Sequence, residues 1–379
     1  MKTETITVAK LGRIVTGKTP PTKDKDNYGG TIPFITPVDM TGNRSIIKTE
    51  RYVTAKGLGT VRNCYLPEHS VCVSCIGSDM GKTVLTTAPS ITNQQINSIV
   101  VDEDAYDYMY VYYLMRTLEE KIKSLGKNAT AVPILNKTKF SNIEIQVPEI
   151  DVQRSISNIL SAYDNLIENN EKQIKLLEEA AQRLYKEWFV DLRFPGYENT
   201  PIVDGVPEGW NKVGMDTIAP IVTGKKDANF GAPNGKYLFF TCAQEPIKAP
   251  SYSFDCDAVI LAGNGDFNVK LYRGQFEAYQ RTYVFSPYES KHLYLLYHAV
   301  RESMRQLFQG ASGSTIKFLT KHMLENIAVF VPDKDTLNAF SRVCDAIQQK
   351  NECLRAQIIF SQEARDRLLP KLMSGEIEV

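Results

Sequence analysis

Between Asp151 and Trp188 the chain carries Ile156, Leu160, Tyr163, Ile167, Asn170, Ile174, Leu177, Ala181, Leu184 and Trp188, a strict alternation of four- and three-residue steps. That spacing predicts one seam of a long helix, and neither proline nor glycine interrupts it. About 38 residues at roughly 1.5 Å each would make a rod of about 57 Å. One small domain does not need a rod of that length, so a body is expected at each end.

The rest of the chain repeats at half its length. Ile14-Val15-Thr16-Gly17-Lys18 returns as Ile221-Val222-Thr223-Gly224-Lys225, Phe34-Ile35-Thr36 is echoed by Phe239-Phe240-Thr241, and Gly126–Pro148 lies without gaps over Gly310–Pro332, 184 residues further on. The same register reaches Arg183-Leu184 and Arg367-Leu368, so the rod has a twin with the seam Phe340, Cys344, Ile347, Asn351, Leu354, Ile358, Ser361, Arg365, Leu368 and Leu372. The displacement falls from 207 at the first motif to 188 at Gly77 and Gly265, which places the length difference opposite residues 36–77. The frame repeats and the interior does not.

These patterns predict an α+β chain with two repeated strand-rich globes. The boundaries are 1–150 for the first globe, 151–192 for the central helix, 193–334 for a linker and the second globe, and 335–379 for the C-terminal helix. Phe194-Pro195-Gly196-Tyr197 and Gly205-Val206-Pro207-Glu208-Gly209-Trp210 are rich in turn-formers and read as the linker. Two apolar seams are best buried against each other, so an antiparallel coiled-coil pair with pseudo-twofold symmetry is expected. Asn170 and Asn351 sit in otherwise apolar rows, where a buried amide costs stability but can fix register. Ser361 and Arg365 interrupt the second seam, so the pair should depart from full symmetry.

Little in the sequence supports catalysis. Gly77-Ser78-Asp79-Met80-Gly81-Lys82-Thr83 is one residue short of a phosphate-binding loop and runs into a β-branched stretch ending at Pro89, so a tight turn is expected instead. Cys64, His69, Cys72 and Cys75 have the chemistry of zinc ligands, but Val71-Cys72-Val73 aligns with Val259-Ile260-Leu261 and reads as core. Glu119-Glu120 and Glu178-Glu179 read as solvated helix faces. No hydrolase, metalloprotease or dinucleotide signature occurs, so neither a resident cofactor nor a metal is expected. The opening residues lack an apolar signal core, and no long apolar run follows, which predicts a cytoplasmic protein without a membrane partner. Seven irregularly spaced cysteines fit a reducing compartment.

With 44 basic and 44 acidic residues the chain is formally neutral, which argues against a non-specific nucleic-acid coat and leaves room for a specific binder. Basic and amide residues occur in loops of both halves. Lys18, Thr19, Lys23, Asn43, Arg44 and Lys82 form one set, and Lys225, Lys226, Lys270, Arg273, Gln280 and Arg281 the other. Such groups can neutralise phosphates or pair with base edges.

Three segments are the most specific. They are Pro133-Ile134-Leu135-Asn136-Lys137 with Ile143-Glu144-Ile145-Gln146-Val147-Pro148 leading into the helix, the run Arg183-Leu184-Tyr185-Lys186-Glu187-Trp188-Phe189-Val190-Asp191-Leu192-Arg193-Phe194-Pro195-Gly196, and the ending Leu368-Leu369-Pro370-Lys371-Leu372-Met373-Ser374-Gly375-Glu376-Ile377. On these the chain resembles, over essentially its whole length, the specificity subunit of type I restriction-modification enzymes. The resemblance implies a non-catalytic subunit in which each globe is a target recognition domain for one half of a bipartite sequence in double-stranded DNA. The helices would act as spacer and dock two methyltransferase subunits, with Ile156, Leu160, Tyr163, Asn170, Leu177, Leu184, Ile347, Asn351, Leu354 and Leu368 on the seams. S-adenosylmethionine is then expected on those partners, and restriction/translocase subunits complete the assembly. Two other classes compete: a coiled-coil adaptor with two protein-binding globes, and a stand-alone DNA modification enzyme. The enzyme would need a cofactor loop and an [ND]-P-P-[YF] tetrapeptide, which the sequence lacks.

Overall fold

The computed structural model describes residues 2–46, 48–126, 133–265, 267–310 and 317–379. The chain divides into two compact units, Met1–Asn170 with Ala356–Val379, and Glu171–Arg355. The division falls inside two long helices, Ile150–Tyr185 and Lys334–Ser374. Each unit therefore holds one globe and part of both helices, and each is described by itself.

In the first unit a five-stranded sheet has the order Gly12–Thr16, Ile96–Val101, Val71–Ser74, Thr83–Thr86, Ser45–Ile46. A second sheet is built from Arg51–Val53, Tyr28–Ile35 and Ile91–Thr92. Thr3–Thr7 pairs with Glu144–Pro148 and delivers the chain into the first long helix. Val71–Ser74 and Thr83–Thr86 are buried along their whole length, which their continuous apolar and β-branched character foretells. The core joins Leu11, Val73, Tyr110, Tyr113 and Phe140 of the globe to Ile156 and Leu160 of the first helix and to Leu369 and Leu372 of the second. Here the helices are antiparallel: Asp164 meets Arg365, and Asn170 meets Gln357. Gln153, Ser157 and Asp164 are buried beside the apolar seam, so the covered face is wider than a two-helix seam requires; the globe covers the remainder.

In the second unit a six-stranded sheet has the order Ile221–Thr223, Thr282–Phe285, Phe254–Ala262, Val269–Ala278, Tyr237–Phe240, Ile247–Ala249. Asn211–Gly214 pairs with Ala328–Val331. Across the helices Glu178 meets Arg355. The segment read as the linker is partly core. Phe194 and Trp210 are buried with ring centroids 4.4 Å apart, and Phe189, at the end of the first helix, lies 5.6 Å from Trp210. Turn-forming residues on either side hid two large aromatic side chains that bury readily.

The repeat appears as identical hydrogen bonds inside the two units. Val8 N donates to Ile143 O as Met215 N does to Ile327 O; Gly17 N donates to Ile96 O as Gly224 N does to Thr282 O; Leu135 N donates to Cys75 O as Leu319 N does to Gly263 O. Asn136 and Thr320 cap equivalent short helices. Residues 127–132 and 311–316, which the sequence alignment spans, lie outside the described residues. Four strands recur in the same order in the two main sheets, Thr83–Thr86 pairing with Val71–Ser74 as Val269–Ala278 does with Phe254–Ala262; beyond them the sheets diverge, the first unit closing a separate small sheet and the second adding strands to the main one.

Candidate nucleic-acid interface

In each unit the shared frame converges at one end of the main sheet. In the first, Thr16–Thr19 leaves its strand beside the turn Asn93–Gln95, and the segment from Pro133 closes over Cys75. In the second, Thr223–Lys226 leaves its strand beside Tyr279–Arg281, and Phe318-Leu319 closes over Gly263.

Glycine makes this closeness possible. A Cβ on Gly17 would lie 2.1 Å from the carbonyl oxygen of Asn93, and one on Gly224 would lie 2.0 Å from that of Ala278. The repeated motif therefore owes its glycine to backbone contact, and Lys18 and Lys225, next in sequence, are left exposed. Thr19 Oγ1 donates to Gln94 Oε1 at 2.9 Å, which orients an exposed glutamine amide. Gln280 and Arg281 are exposed at the corresponding turn, and the Lys226 ammonium sits 4.4 Å from the ring centroid of Phe230. Ile134 and Phe318 occupy equivalent positions and are 42% and 44% exposed, unusual for large apolar side chains at the edge of a polar cluster.

Lys18 and Thr19 are thus gathered with Gln94, and Lys225 and Lys226 with Gln280 and Arg281. The turn Gly77–Lys82 joins Val71–Ser74 to Thr83–Thr86 at the same sheet end, with Lys82 exposed and paired to Asp79 at 2.6 Å. Lys23 and Asn43 are exposed on other loops. Lys270 donates to Ala243 O at 2.9 Å and to Asn268, and burial holds its pKa below the ordinary lysine value.

Arg44 and Arg273 reach the long helices. The Arg44 side chain is only 9% exposed, and Nη2 donates to Glu168 Oε2 at 2.8 Å and to Asn165 Oδ1 at 2.9 Å, both on the first long helix. Arg273 Nη2 donates to Asp345 Oδ1 on the second long helix and to Tyr294 Oη, each at 3.2 Å. Sequence reasoning could count these arginines but could not see that their partners lie 124 and 72 residues away.

It also missed Gln94, Ile134 and Phe318. The signal was present, because Gln94 precedes Gln280 by 186 residues, between the displacements of 188 and 184 found on either side. Of the cysteine and histidine group, Cys72 is fully buried, accepts from Ser98 Oγ at 3.3 Å, and has its thiol pushed up to about 12 by burial. Among the described residues no group of His, Cys, Asp and Glu is arranged to hold a metal, and no helix is long and apolar enough to cross a membrane.

Residues 2–179 match the family model described as the type I restriction modification DNA specificity domain. The type I restriction enzyme MjaIX specificity subunit of Methanocaldococcus jannaschii is 26% identical over 98% of this chain and 93% of its own length. The first half of the chain thus carries this domain, and the chain as a whole is similar to type I restriction-modification specificity subunits. The EcoDI specificity subunit of Escherichia coli is 34% identical over 45% of this chain and 39% of its own. In structure, the S subunit of a type I restriction-modification system from M. genitalium matches 98% of this chain and 96% of its own at a TM-score of 0.59 with 15% identity, a likeness of fold. These similarities support reading the protein as a DNA-binding specificity subunit.

Proposed function

We propose that each unit of this specificity subunit reads one half of an asymmetric, interrupted duplex target through the sheet end described above. The observation that carries this is a single backbone frame bearing unlike side chains. Thr19, Gln95 and Ile134 stand in the first unit where Lys226, Arg281 and Phe318 stand in the second, beside the shared pairs Lys18 with Lys225 and Gln94 with Gln280. Lysines suit phosphates, glutamine and arginine suit adenine and guanine edges, and an exposed apolar side chain suits a thymine methyl group. Unlike side chains on like frames would read unlike half-sites.

In this proposal residues 151–192 and 335–379 form the spacer, which sets the distance between half-sites and docks two methyltransferase subunits, with restriction/translocase subunits joining them. S-adenosylmethionine and the chemistry belong to the partners, and this chain supplies recognition. Support for docking comes from the helices themselves, which leave Leu166, Ile359 and Phe360 exposed in the first unit and Leu176 and Val343 in the second. A host carrying this subunit with its methyltransferase partner provides the test. Methylome sequencing should return two different short motifs separated by an unread spacer; a contiguous or palindromic motif would overturn the proposal.

A further inference from the structure

Arg44 lies within residues 36–77, where the halves differ in length, and Arg273 lies on the strand Val269–Ala278, at the position that Thr87 holds in the first unit. By the register of the repeat they are not equivalent positions. Yet each reaches the long helix that follows its own globe: Arg44 meets Glu168 and Asn165, and Arg273 meets Asp345. Around Arg273, Asp257 Oδ2 lies 3.5 Å from Nε, and the guanidinium carbon is 5.4 Å from the centroid of the Tyr294 ring, whose hydroxyl itself donates to Asp345 at 2.6 Å.

We infer that Arg44 and Arg273 are positioning residues, each clamping the sheet of a recognition globe to its own helix so that the bases are met at a fixed angle. Two features separate this role from phosphate binding. Arg44 is nearly withdrawn from solvent, which a backbone phosphate cannot follow. Both guanidiniums already face carboxylates, and a phosphate would have to displace a charge-assisted hydrogen bond. The same residue type supplies this attachment in both units from non-equivalent positions.

This inference rests on the half-site reading above, and its test separates the two. Spin labels at exposed Thr22 and Asn169 report the globe against its helix in the first unit of the full chain, and labels at Asp255 and Gln349 do so in the second. Arg44→Ala and Glu168→Gln should each broaden the first distance distribution and leave the second unchanged; Asp345→Asn should do the reverse. The methyltransferase complex carrying Glu168→Gln should then lose about fivefold in its preference for the parental spacer over spacers one base pair longer or shorter, a coupling of ordinary size for a network contact. Unchanged distances in Glu168→Gln, together with an Arg44→Ala loss of affinity equal at all spacers and a smaller salt slope, would overturn the clamp in favour of a phosphate contact. A parent complex indifferent to spacer length would overturn the half-site reading, while the distance measurements still decide the clamp.

Discussion

Arg365 of the second long helix donates to the buried carboxylate of Asp164 on the first, and Tyr113 Oη donates to the same carboxylate at 2.5 Å. The Asp164 and Arg365 side chains are 4% and 12% exposed, so this is an ion pair taken almost wholly out of water. Truncating one partner should be far worse than replacing both. Arg365→Leu is expected to cost about 3–5 kcal/mol, because it strands a buried charge, whereas Asp164→Leu with Arg365→Leu should recover most of that loss. Urea unfolding of the parent, both single variants and the double variant closes the cycle; a double variant no better than the worse single would show that the pair itself stabilises.

The same pair shows what the sequence could and could not convey. The four-three periodicity located the helices because burial of one face follows residue spacing, and Ile156, Leu160, Leu354 and Leu372 are indeed buried. Arg365 looked like an interruption, since its partner is 201 residues away and spacing carries no information about pairing. The repeat was legible wherever backbone contact demands one residue type, as at Gly17 and Gly224. The interface was only half legible: the basic residues could be counted, but Arg44 and Lys18 look alike until one is seen turned onto a helix and the other left exposed.

The two seam asparagines are both 2% exposed but differ in their partners. Asn170 Nδ2 donates to Gln357 Oε1 at 3.2 Å, while the Asn351 Oδ1 is buried with no hydrogen-bond partner among the described residues. Asn351 lines a cavity of about 760 Å³ in the second unit, with Ala181 and Gln348 on its wall. By the displacement of 184 these correspond to Arg365 and Asp164, whose side chains meet in the first unit. Asn351→Leu should therefore stabilise the chain by about 1–2 kcal/mol, because it removes a buried unsatisfied carbonyl oxygen and adds apolar surface. Asn170→Leu should gain less, since it breaks a hydrogen bond and leaves Gln357 to find another. Denaturant midpoints at equal slope rank the two; equal effects would mean that the orphaned oxygen costs nothing.

His298 gives the second unit an acid sensitivity. Its ring is 3% exposed, Nδ1 donates to Gln182 Oε1 at 2.9 Å, and burial, with a smaller push from Arg301, lowers its pKa from 6.5 to about 3. Between those values the unfolded chain binds a proton that the folded chain refuses. The stability from a neutral His298 is therefore complete above about pH 6.5 and declines as the pH falls toward 3, by about 1.4 kcal/mol per pH unit. His298→Gln, which keeps a hydrogen-bonding side chain and cannot titrate, should flatten the loss of stability between pH 6.5 and 4.5 in calorimetric unfolding. An unchanged slope would place the acid sensitivity elsewhere.

Gln94 and Gln280 stand at equivalent turns of the two frames, so each should govern one half-site only. A glutamine that pairs bidentately with adenine contributes about 1–3 kcal/mol of discrimination at that base. Gln94→Ala in the methyltransferase complex should relax one position of one half-site by that amount, and Gln280→Ala should relax one position of the other. Lys18→Ala and Lys225→Ala, acting on phosphates, should weaken all sequences alike and reduce the salt slope by about one. Competition binding against libraries randomised in one half-site at a time resolves these cases. If Gln94→Ala altered both half-sites equally, the two sheet ends would not be independent readers, and the division of the target between units would have to be abandoned.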